Sequence, residues 1–243
     1  MYISEFADLL ISAVAVIIAL TVHEFFHAFI AYKLGDPTSA SLGRLTLNPL
    51  RHLDPIGAIC LLVFHFGWAK PVPINARYFK KPKRDFAFTA LAGPLSNIIV
   101  AFFSGMLYVL LYKLQGTVEQ PQLQRIVFVS TYFFYVFFAM NVGLGVFNLI
   151  PIPPLDGSRI LNAILPEKTY FRIMKYEKNV YRVFVAWLLL GTPIYNMLSS
   201  LQFISQNQVL LKALKILSLG QLISEAISDL AVLIIKFWTF CFY

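Results

Sequence analysis

Apolar positions gather into long uncharged stretches rather than alternating with polar ones. Leu9 to Tyr32 covers 24 residues, or about 36 Å as a helix, against a hydrocarbon core of about 30 Å. Phe86 to Tyr112 and Ile126 to Leu155 run for 27 and 30 residues without a single Asp, Glu, Lys or Arg, so each predicts a membrane-spanning helix. Between the first two lies a turn-rich stretch with Gly35, Asp36, Pro37, Gly43, Asn48 and Pro49. It leads into a 14-residue apolar run, Ile56 to Ala69, too short to cross and read as a re-entrant or interfacial hairpin. Val183 to Phe203 predicts a further span, with Gly191 and Pro193 in it. Val209 to Leu217 reads as a short amphipathic surface helix, and Leu222 to Tyr243 is apolar but interrupted by Glu225, Asp229 and Lys236. The pattern predicts an all-α polytopic membrane protein with about four to six transmembrane helices and a re-entrant hairpin or short edge strands. One membrane unit is expected over residues 1–205, with a tail of open topology over 206–243. No inverted pair of interrupted helices is present, which argues against a transporter architecture.

Composition agrees: 13% of residues are charged, about half the usual share in a soluble domain, and the mean hydropathy is +0.71. The net charge of +8 suggests nucleic acid until the cations are placed. Nine of the 20 Lys and Arg residues fall between Lys33 and Arg84, five between Lys168 and Arg182, and the loop from Lys113 to Arg125 holds only those two. That asymmetry is the signature of topology, so no nucleic-acid partner is expected. It predicts basic loops at 33–85 and 166–182 on the cytoplasmic side and an N-terminus outside. The segment before the first helix carries Glu5 and Asp8 instead of a basic n-region, so no cleavable leader is expected. Cys60 and Cys241 both lie in apolar surroundings and form no disulfide framework or zinc module.

Candidate chemistry sits inside the first apolar run, where His23, Glu24 and His27 spell H-E-x-x-H. Spacing of four puts both imidazoles on one helix face, one turn apart, where two neutral ring nitrogens can reach one Zn²⁺. Glu24 beside them can take a proton from an activated water. Ionisable side chains in a membrane helix are costly unless they meet a partner, a cavity or a metal, and hydrogen bonding to another helix is the alternative. A third ligand is needed, and Asp156 is the strongest candidate. It ends the longest uncharged run, after Pro151, Pro153 and Pro154, which predict a broken chain that can turn a carboxylate inward. The same Asp can also cap the helix expected over Gly157 to Leu165.

These residues resemble the site-2 protease family of intramembrane zinc metalloproteases. His23, Glu24 and His27 are followed over a hundred residues later by Asn148 and Leu155-Asp156-Gly157. The intervening Asn48-Pro49, His52, Asp54-Pro55, Gly67 to Asn75 and Gly93-Pro94 with Asn97 are similar to the compact prokaryotic branch. The resemblance covers roughly residues 10 to 205. It implies hydrolysis of peptide bonds within or near transmembrane helices of membrane-protein substrates, in a prokaryotic cell membrane and in contact with its lipids. It also implies one Zn²⁺ per chain on His23, His27 and Asp156, with Glu24 as general base. Asn148 is a candidate for oxyanion stabilisation or substrate positioning, against a plain helix C-cap. Asn97 is a candidate for reaching the site but is read first as backbone support, and His52 is a weaker candidate in its turn-rich loop. Val72 and Ile74 could form an exposed edge strand for an unwound substrate, or belong to a simple connector. No inserted PDZ-like or ligand-sensing domain is visible, and oligomeric state is left open. Two alternatives remain: a zinc-binding membrane protein that holds helices without cutting, and a metal transporter.

Overall fold

The computed structural model describes residues 3–57, 59, 69–166, 168, 169, 172, 175–200 and 219–242. The hairpin expected over Ile56 to Ala69, with Cys60, His65 and Trp68, lies almost wholly outside these residues, as does the surface helix expected over Val209 to Leu217.

Helix α1, Glu5–Lys33, starts at Ser4, whose hydroxyl accepts the Ala7 amide at 3.3 Å, and Glu5 and Asp8 face the positive end of its dipole. It stops at a turn where Gly35 takes φ +107°, a conformation that side chains disfavour. After the short α2, Thr38–Ser41, the chain runs through 3₁₀ turns at Pro49–Arg51 and Ala76–Tyr78 into α3, Pro82–Gln115. Helix α4, Pro121–Asn148, returns alongside it, and both start with proline at the first helical position, where no amide partner is lost. Then come α5, Asp156–Ile164, α6, Glu177–Ser199, and α7, Leu219–Phe242. Among the described residues α1, α3 and α4 are the three helices long and apolar enough to cross a membrane. The architecture is that of an all-α polytopic membrane protein.

Helix α3 is the centre of the bundle and packs against α1, α4, α5 and α7. Its contacts follow membrane rules, in which small residues let helices approach and large apolar ones face lipid. Ala15, Ala19, Ala28 and Ala31 of α1 are fully buried, as is Ala101 of α3, while Phe6, Val14, Phe88, Ile99 and Phe103 are exposed. Polar side chains are interior too: Thr89, Asn97 and Asn141 have no exposed surface.

Helix α7 is one continuous helix against α3 and α4. Ile234 joins Ala101, Phe138 and Val142 in a core cluster, and the Trp238 indole N–H donates to the Phe102 carbonyl at 2.8 Å. Glu225, Asp229 and Lys236, which interrupt the pattern in sequence, are all exposed. Their spacings of 4 and 7 put them on a single outer face.

The stretch 70–75 is extended but forms no sheet. Among the described residues the one bridge here is antiparallel, between Leu53 and Ala69. Side chains instead hold its backbone: Ser39 donates to Pro73 O at 2.6 Å, Arg44 to Lys70 O at 2.6 Å, and Asp36 accepts the Asn75 amide at 2.7 Å. Pro71 and Pro73 have no amide to offer a neighbouring strand.

Candidate metal centre

Helix α1 carries His23, Glu24 and His27 toward the bundle interior. The two buried rings lie one turn apart, centroids 4.6 Å from each other and planes at 84°. Asp156 arrives from the opposite direction. After α4 ends at Asn148 the proline-rich stretch reverses the chain within a few residues, and α5 begins with Asp156 itself. Gly157 permits this return, because a Cβ there would overlap the carbonyls of Leu149 and Ile150. The residue in the cap position is Leu155, and the Asp156 carboxylate makes no capping bond. It points across to α1 instead.

There three atoms converge. His23 Nε2 and His27 Nε2 lie 3.0 and 3.1 Å from Asp156 Oδ2, and 3.0 Å from each other. The opposite ring nitrogens decide what these atoms are. His27 Nδ1 meets the Thr89 carbonyl at 2.7 Å, and His23 Nδ1 meets Asn97 Oδ1 at 2.6 Å. Both partners are acceptors, so each Nδ1 carries a proton, and in its neutral form each ring presents an open Nε2 lone pair. In that form three acceptors face one another, an arrangement that a cation satisfies. A tetrahedral zinc with bonds of about 2.0–2.1 Å spaces its ligands by roughly 3.3 Å, so the triangle needs only a few tenths of an ångström of expansion. The oxygen acceptors behind both imidazoles are the usual support of metal-binding histidines. The residues present fit zinc.

Helix α3 shapes the floor. A Cβ on Gly93 would collide with His27 Nε2 and Cε1 and with His23 Nε2, so glycine there gives the rings their room. Pro94 has no amide for the Ala90 carbonyl, and its ring crowds the preceding turn, where Thr89 O accepts from His27.

Glu24 lies half-buried beside the triangle, and its Oε2 accepts the Val72 amide at 2.8 Å. That bond ties the extended stretch to the glutamate and orients its carboxylate. His23, Glu24, His27, Val72, Ile74, Asn148, Asp156 and Arg159 line one cavity of about 500 Å³, with Phe86 and Ala90 on its α3 side.

The structure thus brings His23, Glu24, His27, Asp156 and Asn148 to one cavity. The Asn148 amide also donates to Leu144 O at 3.0 Å, within its own helix. Asn97 is not in the cavity but behind His23, so its contact is with the ring as well as with the backbone expected for it. His52 is placed elsewhere: it is buried in its loop, with Nε2 donating to Thr46 O at 2.7 Å. Thr89 and Gly93 act on the site through a carbonyl and a missing side chain, and Arg159 lines the cavity; the sequence expects no site role of them. Val72, expected in a substrate edge strand or a simple connector, acts through its amide on Glu24, which has no side-chain signature either.

A helical membrane protein that converges two imidazoles and a carboxylate beside a second, separately held carboxylate has the make-up of a membrane metallopeptidase. Residues 11–191 match Peptidase family M50, and the chain belongs to that family, the site-2 protease family of zinc metalloproteases. It is 40% identical over 184 residues to the Bacillus subtilis protein named "Putative zinc metalloprotease YwhC", covering 74% of this chain and 80% of that one. Rip2 of Mycolicibacterium smegmatis, which bears the same description, is 32% identical over 74% of this chain and 66% of its own length. The zinc metalloprotease MJ0392 of Methanocaldococcus jannaschii is 27% identical over 67% of this chain and 37% of its own length. No solved structure matches the chain.

Proposed function

We propose that this protein is an intramembrane endopeptidase that cuts peptide bonds within or near transmembrane helices of other membrane proteins. In this reading His23, His27 and Asp156 hold one zinc ion and Glu24 is the general base. The convergence of two imidazole nitrogens and a carboxylate oxygen in a cavity that also contains the Glu24 carboxylate carries it. Bound zinc supplies Lewis acidity, which polarises the scissile carbonyl and makes water acidic enough to lose a proton near neutral pH. Glu24 accepts that proton and returns it to the departing amine, and the Val72 amide keeps the carboxylate aimed while it does so. Val72 and Ile74 line the cavity on the Glu24 side, where an unwound substrate segment would lie beside the base. Asn148 lines the same cavity, where it would donate to the substrate carbonyl as charge develops.

The family match from residue 11 to 191 supports placing the protease within residues 1–205, with 206–243 as an appended segment. The basic segments support an orientation with the N-terminus outside and residues 33–85 and 166–182 in the cytoplasm.

The test is cleavage of a transmembrane-helix substrate in liposomes by wild type and Glu24→Gln. The variant keeps about one zinc per chain and loses roughly 10²- to 10⁴-fold in rate. Cleavage at the wild-type rate removes Glu24 as base, and retention of zinc without any wild-type cleavage favours a protein that only holds helices.

A further inference from the structure

Behind the metal centre, on the side away from the cavity, three buried groups on three helices form one continuous hydrogen-bonded line. Asn141 of α4 donates its Nδ2 to the Phe137 carbonyl at 2.8 Å and accepts Asn97 Nδ2 on its Oδ1 at 2.8 Å. Asn97 of α3 also donates Nδ2 to the Ala19 carbonyl of α1 at 3.2 Å and accepts His23 Nδ1 at 2.6 Å. Both asparagines have no exposed surface.

Each link in this line has only one sense. The Phe137 and Ala19 carbonyls can only accept, so both asparagines must turn their NH₂ groups toward them. The Asn141 oxygen is then left to face Asn97, and the Asn97 oxygen to face His23. An inverted amide would set oxygen against oxygen at one end and NH₂ against N–H at the other, which a buried apolar setting penalises heavily. The proton on His23 Nδ1 is therefore set through Asn97 by two acceptors, the Ala19 carbonyl and, two links away and at the shorter distance, Asn141, which leaves Nε2 of the neutral ring open to a metal. His27 has no such line, because its Nδ1 is held by a main-chain carbonyl.

We propose that Asn141 is a positioning residue for the metal centre, acting through Asn97 to hold His23 in the Nδ1–H tautomer with Nε2 open. The proposal rests on the reading of His23 as a zinc ligand. Asn141 neither touches His23 nor lines the cavity. Without its oxygen, Asn97 is held in this sense only by the longer bond to Ala19 O, so a turned amide that offers NH₂ to His23 costs less and becomes populated. The imidazole then moves its proton to Nε2 and cannot bind metal there.

The experiment compares full-length wild type, Asn141→Leu, Asn141→Ala, Asn141→Asp and His23→Ala in detergent. Zinc affinity is measured by chelator competition, and histidine tautomers by ¹⁵N NMR on the metal-free protein, which has four histidines to assign. Loss of the outer partner of a ligating histidine weakens metal binding about 10- to 100-fold. Asn141→Leu, or Asn141→Ala if the leucine variant does not fold, is expected to raise the zinc Kd by about 10-fold or more and to populate the Nε2–H form of His23. Asn141→Asp is expected to restore both, because a carboxyl driven neutral by burial keeps one donor and one acceptor. If the leucine and alanine variants keep the wild-type tautomer and bind zinc within about 3-fold of wild type, the pair is only a contact between α3 and α4 and the proposal fails. If His23→Ala binds zinc as well as wild type, the ligand assignment fails and the positioning proposal fails with it.

Discussion

The two ends of the α3 contact surface are built from opposite kinds of residue. Around the proposed metal centre α3 offers Ala90, Gly93 and Asn97, and α1 offers alanines and histidines, so contact there is close, polar and intolerant of added atoms. Toward α7 the same helix offers Phe102, which packs against Phe237, Trp238 and the cluster that holds Phe138. In lipid, where apolar burial alone gives little drive to associate, the aromatic end contributes packing, and the polar end contributes geometry. Stability and chemistry are thus drawn from different parts of one helix. The contrast predicts that a substitution at one end will be felt as metal loss and at the other as melting.

The sharpest way to break the comparison is Gly93→Ala. The added methyl falls on both imidazoles, so zinc content is expected to fall well below one per chain, with a secondary loss of stability of about 1–3 kcal/mol from overpacking. Full zinc occupancy in a folded Gly93→Ala protein would show that the floor of the site yields, and the polar end would then be no stiffer than the aromatic one. Phe138→Ala probes the other end. It removes a buried ring from the cluster with Ile234 and is expected to cost about 3 kcal/mol in unfolding measurements while zinc affinity stays within about 2-fold of wild type. Zinc loss in that variant at temperatures where it is folded would join what the comparison separates.

The same contrast explains what could be read from the sequence. His23, Glu24, His27 and Asp156 stand out because ionisable residues are rare in apolar runs, and the prolines before Asp156 foretold a chain that turns back. The spans α1, α3 and α4 were legible for the same reason. The support around the site was not. Thr89 contributes a main-chain carbonyl, Gly93 an absence of atoms and Val72 an amide, and sequence patterns record side chains. Asn97 was visible as a polar residue in an apolar helix, but which helix it faces depends on how α3 sits against α1. Asn141 carried the same signal and went unread within its uncharged run. Residues 70–75 have the alternation of a strand, yet beyond the Lys70 amide bond to His52 O their hydrogen bonds go to the side chains of Glu24, Asp36, Ser39 and Arg44, which sequence distance hides. In α7 the three charges looked like interruptions until a helical period set them on one exposed face.

The central claim is that His23, His27 and Asp156 together hold one zinc ion. Metal content by mass spectrometry of detergent-purified wild type and Asp156→Ala tests it most directly. The account predicts about one zinc per wild-type chain and far less than one in the variant, since structural and catalytic zinc sites alike need at least three protein ligands. Equal zinc in the two proteins, or none in wild type, would contradict the site described here and the hydrolytic chemistry derived from it.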